Sequence, residues 1–153
     1  MFSNNVDVIT LQAAITRLLR WASRPSVAGE LAGPEAADLS PTDLWLLDGV
    51  VRHGPVRMGD LASWQGVDKS TVTSQLRRLV DRGLVARDPS PSDRRVVLVR
   101  ATGEGRRLQE SVSHAGVRVL EEVVADWTPD DRRAFATLFT RFAGRLGEDP
   151  TSR

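Results

Sequence analysis

Apolar residues recur every three or four positions along most of the chain, and this spacing predicts amphipathic helices. The first helix carries an apolar face made of Val8, Leu11, Ile15, Leu18 and Ala22. It is predicted to end near Arg24-Pro25, because a residue before proline is disfavoured in helical geometry. Residues 25–40 are rich in Pro, Gly and Ala and are predicted to be a connecting segment.

Capping signals mark the starts of three more helices. Ser40-Pro41-Thr42-Asp43 offers a hydroxyl cap, a proline at the first helical position and an acid at the third. Gly54-Pro55 ends that helix. Thr102 caps a long helix that is predicted to extend to about Asp126. Thr128-Pro129-Asp130-Asp131 starts a final helix whose apolar face consists of Phe135, Leu138, Phe139, Phe142 and Leu146.

The middle of the chain has the pattern of a helix-turn-helix followed by a hairpin. A short helix at about Met58–Gln65 precedes one that runs from the cap residue Asp68 to about Asp81. Two short strands, at residues 84–88 and 94–100, flank a turn rich in Pro and Ser. The predicted fold is therefore mainly α: a winged helix-turn-helix lobe at about residues 40–101 with a small β-hairpin wing, and further helices on both sides.

Composition is that of an ordinary globular protein, with 153 residues, 41% hydrophobic and 27% charged. The absence of cysteine excludes disulfides and thiolate metal sites, and two histidines make a metal sensor improbable, so no metal or cofactor is expected. No apolar run approaches the roughly 20 residues of a membrane span. The N-terminus also lacks the pattern of a signal peptide, which favours a cytoplasmic protein.

Charge is distributed unevenly although the net charge is only +1. Residues 52–107 contain 12 Lys and Arg against 6 Asp and Glu, a balance of +6, whereas the rest of the chain balances to −5. A basic segment between acidic ends favours a polyanionic partner such as double-stranded DNA.

One face of the helix after Asp68 has side chains suited to a DNA groove. The major groove is about 12 Å wide and admits one helix, and arginine can donate two parallel hydrogen bonds to guanine. The residues predicted to contact DNA from this helix are Lys69, Ser70, Thr71, Thr73, Ser74, Arg77 and Arg78. Such residues are also common on solvated surfaces, so the prediction depends on the hairpin. At its tip Arg94 and Arg95 can enter the minor groove, and Asp93 can brace one guanidinium.

The ensemble of motifs over residues 39–108 resembles the MarR family of bacterial winged-helix regulators. The matching features are Gly54-Pro55, Leu61-Ala62, Ser70-Thr71-Val72-Thr73, Leu79, Asp81-Arg82-Gly83-Leu84-Val85, Asp93-x-Arg95 and Thr102-x-x-Gly105. The resemblance implies a homodimer, with residues 1–24 and 102–148 as the dimerisation helices, that represses a pseudo-palindromic operator. It also implies that Arg95 is the minor-groove residue and Asp93 its brace, while the role of Arg94 stays open.

The resemblance further implies a small effector, often aromatic or anionic. The candidate effector residues are Arg17, Arg20, Trp21, Trp45, His53 and His114. A cation, a tryptophan face and a titratable ring suit a carboxylated aromatic ligand. The alternative is that both tryptophans fill the core and both histidines are polar surface residues.

Two other functional classes fit less well. In an enzyme, Asp130 and Asp131 could act as an acid–base pair, but at a helix start they satisfy free amides and the helix dipole. No nucleophile–base pair, phosphate loop or metal-spaced cluster is evident, so no catalytic residue is expected. A winged-helix module that binds only proteins is the second alternative, and the basic hairpin tip argues against it.

Overall fold

The computed structural model describes residues 3–65 and 68–146. Its elements are α1 (Ser3–Ala22), α2 (Pro25–Ala32), α3 (Pro41–His53), β1 (Val56–Arg57), α4 (Met58–Gln65), α5 (Lys69–Asp81), β2 (Val85–Pro89), β3 (Val97–Ala101), α6 (Gly103–Val123) and α7 (Pro129–Leu146). The chain divides into two compact units, residues 1–117 and 118–153. The mainly helical fold with a small antiparallel sheet confirms the predicted class.

The prediction that residues 25–40 form only a connecting segment is wrong in one respect, because this segment contains the helix α2. Pro25 occupies the first helical position of α2, where proline loses no hydrogen bond, and Arg24 before it is extended. Val27 is buried, and this tertiary contact stabilises a helix whose small residues gave little periodic signal. A single 3₁₀ turn, Pro34–Ala36, then leads towards α3.

The start of α3 has the predicted cap and satisfies its first free amides. The Ser40 hydroxyl accepts a hydrogen bond from the Asp43 backbone N–H at 3.2 Å. In return, the Asp43 carboxylate accepts one from the Ser40 backbone N–H at 3.1 Å. This reciprocal capping box fixes both the first turn of the helix and the side chain of Asp43.

The core of the first unit lies between α3, α4, α5 and the sheet. Its largest fully buried apolar side chains are those of Leu46, Leu47, Val50, Leu61, Val72, Leu76, Leu79, Leu84 and Val99. Val72, Leu76, Leu79 and Val80 are spaced to share one face of α5, and the first three are buried as this spacing predicts. Val80 instead has 37% of its surface exposed.

The sheet has three antiparallel strands in the order β1-β3-β2. β2 pairs with β3 from Val85 opposite Ala101 to Pro89 opposite Val97. β1 was not predicted, because two residues are too few to show an alternating pattern. It pairs Val56 with Val99. β3 begins later than predicted, since Arg94 and Arg95 belong to the turn.

The wing is joined to α6 through Thr102. Its hydroxyl donates to the Gly83 carbonyl at 2.7 Å and accepts from the Gly105 backbone N–H at 3.0 Å. Gly83 itself has a φ of +69°, a left-handed conformation in which it ends α5. The Thr102-x-x-Gly105 motif therefore ties the end of α5 to the start of α6.

The second unit contains a row of aromatic side chains along α7. Trp127 meets Phe135 edge to face with ring centroids 5.3 Å apart, and Phe135 stacks on Phe139 at 5.3 Å. Thr128 and Asp131 form the predicted cap, because the Thr128 hydroxyl accepts from the Asp131 backbone N–H at 3.2 Å. None of the residues from Pro129 to Leu146 is buried.

Within residues 3–65 and 68–146, no helix combines the length and apolar character that a bilayer-spanning helix needs.

Candidate nucleic-acid interface

The N-terminus of α5 is held by the side chain of Asp68. This carboxylate accepts hydrogen bonds from the Thr71 backbone N–H and the Thr71 hydroxyl, both at 2.9 Å, and from the Ser70 hydroxyl. These hydrogen bonds hold the pKa of Asp68 far below its ordinary value, and the bond from the Ser70 hydroxyl has the largest effect. The predicted DNA-contacting hydroxyls of Ser70 and Thr71 are thus engaged in the helix cap in the free protein.

The next turn of α5 presents the other predicted side chains. The Ser74 hydroxyl donates to the Ser70 carbonyl at 3.1 Å, and the Thr73 hydroxyl lies 3.7 Å from the Met58 sulfur. Both residues are exposed, as is Arg77. The side chain of Lys69, also predicted to contact DNA, lies outside the described part of the structure. α5 therefore exposes short hydroxyl side chains followed by an arginine.

Arg78 occupies a different environment from its neighbour Arg77. Its Nε lies 3.1 Å from Asp43 Oδ2 and its terminal nitrogen 2.7 Å from Asp43 Oδ1, a two-pronged contact between α5 and α3. Burial by itself raises the pKa of Asp43, but the hydrogen bonds from Arg78 and Ser40 and the charge of Arg78 outweigh it, so that the pKa is lowered. The sequence indicated the α3 cap but gave no sign of this long-range pair.

The wing tip is ordered through its backbone. Ser90 N–H donates to the Val96 carbonyl at 2.7 Å, and Asp93 accepts the Arg95 backbone N–H at 3.0 Å. The sequence predicted that Asp93 would brace a guanidinium, whereas the observed contact is to the backbone. Arg94 and Arg95 are both exposed. The turn thereby presents two adjacent guanidinium groups to solvent.

Five exposed arginines of the basic segment have no ion pair or side-chain hydrogen bond among the residues that the structure describes: Arg57, Arg77, Arg87, Arg94 and Arg95. The segment's other arginines have partners: five form ion pairs, as Arg100 does with Asp88 on the neighbouring strand, and Arg106 donates to the Ala101 carbonyl. Arg57 and Arg87 were not among the predicted contacts, although the charge balance of residues 52–107 included them. Unpaired cations of this kind are available to neutralise phosphates.

The residues predicted to hold an effector do not converge on one described cavity. A cavity of about 640 Å³ lies between the end of α1, α2, α3 and α6, within the first unit. Trp45 lines it, but the other candidates are not among its described lining residues: Arg17, Arg20, Trp21, His53 and His114. Its walls are mainly apolar, with small side chains such as Ala28 and Ala32 from α2 and larger ones, Leu44 and Trp45, from α3. The small residues of α2 carry no sequence signal for ligand binding.

The polar edge of this cavity is made of residues that the sequence did not single out. Asp48 pairs with Arg52 at 2.7 Å and accepts a hydrogen bond from the Gln109 amide nitrogen at 2.6 Å. The Gln109 carbonyl oxygen is buried and has no hydrogen-bond partner among the described residues. The cavity thus has an acceptor at its edge and one arginine that is already paired.

Comparison with known proteins places the winged lobe in a defined group. A model of the MarR family matches residues 39–97. The uncharacterized HTH-type transcriptional regulator YcgE of Bacillus subtilis is 33% identical over 139 residues, which cover 90% of this chain and 87% of that one. The HTH-type transcriptional repressor MdtR of the same organism is 32% identical over 113 residues, or 74% and 73% of the two chains. Two further B. subtilis regulators match over only 66% and 59% of their own length.

Solved structures share the fold over nearly the whole chain. RV1404 from Mycobacterium tuberculosis superposes with a TM-score of 0.76 at 25% identity, and the match covers 96% of each chain. FabT of Streptococcus pneumoniae, solved in complex with DNA, gives a TM-score of 0.63 at 18% identity over 95% of this chain and 97% of that one. At that identity the second likeness concerns the fold alone.

Proposed function

The chain belongs to the MarR family of transcriptional regulators, and from this premise we propose that it is a sequence-specific, homodimeric repressor of a pseudo-palindromic DNA operator. It acts in the cytoplasm and is modulated by a small ligand. The function is regulatory rather than enzymatic, in keeping with its relatives, which are transcriptional regulators.

The observation that carries the proposal is the set of unpaired arginines around α5 and the wing. Arg77 on α5 and Arg94 and Arg95 on the wing tip are exposed and lack a partner among the described residues. About one turn before Arg77, α5 offers Thr73 and Ser74, whose small side chains let a helix enter the major groove closely. The two elements therefore supply groove contacts and phosphate contacts from one lobe.

Two separate apolar faces support a homodimer. In the first unit, α1 exposes a row of large apolar side chains: Val6, Val8, Ile9, Leu11, Leu18 and Leu19. In the second unit, α7 and the residues before it expose Trp127, Phe135, Leu138, Phe139 and Leu146. Monomeric soluble proteins rarely expose apolar rows of this extent, and a second copy of the chain is the partner that a symmetric regulator requires.

The cavity beside α2 supports ligand modulation and favours a particular chemistry. Its lining is mostly apolar, and the Gln109 carbonyl oxygen, which is buried and without a partner among the described residues, can accept a hydrogen bond from a ligand once this side chain turns towards the cavity. Arg52 is already paired with Asp48, whose negative charge opposes an anion. We therefore expect a mainly apolar, neutral ligand with an O–H or N–H donor, in contrast to the anionic class that the family resemblance suggested.

The ligand can be tested with two molecules that share the same ring system. Thermal unfolding is measured with 2-naphthol, which is neutral and has a hydroxyl donor, and with 2-naphthoate, which is an anion. The expected result is a larger rise of the melting temperature with 2-naphthol, and a loss of this rise in Gln109→Leu. Stabilisation by 2-naphthoate alone contradicts the proposed ligand class.

The DNA function can be tested without knowing the operator. The wild-type protein selects duplexes from a random pool, and the enriched sequences are aligned. A homodimer with one recognition helix per protomer should enrich two inverted half-sites whose centres lie about one helical turn apart. Enrichment of a single half-site, or of no sequence at all, contradicts the proposal.

A further inference from the structure

Arg77 and Arg78 are adjacent in α5 but have different surroundings. Arg77 is exposed and forms no ion pair or hydrogen bond with its guanidinium in residues 3–65 and 68–146. Arg78 is also half exposed, yet two of its nitrogens donate to the two oxygens of Asp43. Planar, two-pronged contacts of this kind fix direction as well as distance.

The partner of Arg78 has little freedom to release it. The side chain of Asp43 is only 1% exposed and also accepts the Ser40 backbone N–H at 3.1 Å and the Ser40 hydroxyl at 2.7 Å. A buried carboxylate that loses its cation keeps an uncompensated charge, which is strongly unfavourable. Moving Arg78 from Asp43 to a DNA phosphate would therefore disturb the start of α3.

A second arginine ties α5 to the same part of the chain. Arg82, just after the last residue of α5, pairs with Asp38 at 2.8 Å and donates to the Glu35 carbonyl at 3.1 Å. Both arginines thus contact residues 35–43, which include the first turn of α3 and the residues before it. They hold the C-terminal half of α5, while Thr73, Ser74 and Arg77 stay exposed.

We propose that Arg78 is a positioning residue, which holds α5 against α3 through Asp43 so that the exposed residues of α5 meet DNA in a fixed register. The inference rests on the proposed DNA-binding function. It differs from the sequence-based prediction, in which Arg78 was a direct DNA contact. A direct contact and a positioning role have opposite consequences for three variants, and these consequences can be measured on DNA.

The first comparison uses the salt dependence of affinity for the duplex that the wild-type protein selects from a random pool. Each lost phosphate contact lowers the salt slope by about 1. Arg78→Met is expected to weaken DNA binding by about tenfold without changing how steeply the affinity depends on salt. The matched control Arg77→Ala is expected to weaken binding and also to make the salt dependence shallower. A slope lowered by about 1 in Arg78→Met overturns the positioning role.

Two conservative variants sharpen the distinction. Arg78→Lys keeps the charge but loses the two-pronged contact, so it is expected to bind about as weakly as Arg78→Met. Asp43→Asn removes the charge that holds Arg78 and is expected to weaken binding as well. If Arg78 instead contacts a phosphate, Arg78→Lys binds like the wild type and Asp43→Asn binds more tightly, and either result overturns the inference.

A measurement without DNA separates this inference from the proposed function. Urea unfolding of the full chain gives the stability of Asp43→Asn, Arg78→Met and the double variant. The pair is expected to couple, so that the double variant loses clearly less than the sum of the single losses. Additive losses overturn the positioning role. Absence of salt-dependent DNA binding by the wild-type protein is the distinct result that overturns the proposed function, and circular dichroism verifies that each variant is folded.

Discussion

Gly105 lies so close to Leu84 that a methyl group on its Cα would stand 2.0 Å from the Leu84 carbonyl oxygen. That carbonyl belongs to the backbone that joins α5 to the wing, and it also accepts the Thr102 backbone N–H at 3.0 Å. Because backbone cannot move aside as a flexible side chain can, only glycine allows α6 to pack at this distance. The glycine of Thr102-x-x-Gly105 thus has a steric reason.

Gly105→Ala is therefore expected to destabilise the protein by more than about 2 kcal/mol, since α6 has to shift away from the wing. The matched control is Gly103→Ala in the first turn of the same helix, where the nearest atom to an added methyl is the flexible end of Arg107, 3.9 Å away. This control should be neutral or stabilise by up to about 1 kcal/mol. Urea unfolding measures both, and equal stabilities would contradict the packing argument.

Acid is expected to weaken the link between α3 and α5. The pKa of Asp43 is lower in the folded protein than in the unfolded chain, because the bonds from Arg78 and Ser40 outweigh the effect of burial. The ionised carboxylate therefore contributes stability above its unfolded pKa, and this contribution is lost as the pH falls through the folded pKa. Melting temperatures of the wild type should fall in acid below about pH 4.

The control for this prediction is Asp43→Asn, which has no proton to bind at that position. Its melting temperature at neutral pH should be lower than that of the wild type, and the difference between the two proteins should shrink in acid. A difference that stays constant from neutral to acid pH would show that Asp43 does not contribute in the predicted way.

A charge on the exposed apolar row of α7 is expected to weaken self-association. Leu138 is 54% exposed in the single chain, so glutamate there should leave the fold of the protomer intact. In a dimer that buries Leu138, the charge would be desolvated, and the dissociation constant should rise by about tenfold or more. Thr137→Glu is the matched control, because at about 100° per residue Thr137 faces away from the centre of the apolar row of the same helix.

Analytical ultracentrifugation measures the two dissociation constants. The predicted order is a weakened dimer for Leu138→Glu and a wild-type dimer for Thr137→Glu. Equal values for both variants would place the contact between copies elsewhere.

Of the two arginines at the wing tip, Arg95 is expected to contribute more to DNA affinity than Arg94. Arg95→Ala should weaken binding by about 1–3 kcal/mol while leaving the dimer intact, since Asp93 orders the backbone at Arg95. Arg94→Ala is compared on the same selected duplex, and Arg133→Ala, in the second unit and paired with Asp130, serves as the control. A larger effect of Arg94→Ala would exchange the roles of the two arginines.

The sequence predicted the elements of the winged lobe well, because their signals are local. Ser40 and Asp43 form the capping motif that predicts the start of α3. Val72, Leu76 and Leu79 recur at helical spacing along the buried face of α5. α2 escaped prediction, since it is short and its stability depends on the burial of Val27. Periodicity cannot reveal a helix whose stabilising contact comes from elsewhere in the fold.

The exposure of the candidate site residues was predicted better than their contacts. Arg77, Arg94 and Arg95 are exposed as expected of groove-facing residues. By contrast, the pair of Asp43 and Arg78 joins residues 35 positions apart, and no spacing rule connects them. The cavity was missed for a similar reason, because Gln109 meets Asp48 only in the folded chain.

The salt dependence of DNA binding measures most directly whether the exposed arginines contact phosphates. The affinity of the wild-type protein for its selected duplex is measured by fluorescence anisotropy at several salt concentrations between about 50 and 200 mM. If the unpaired arginines of α5 and the wing neutralise phosphates, the logarithm of the affinity falls linearly with the logarithm of the salt concentration, with a slope steeper than about −3. An affinity that does not change with salt would show that these arginines do not bind DNA phosphates.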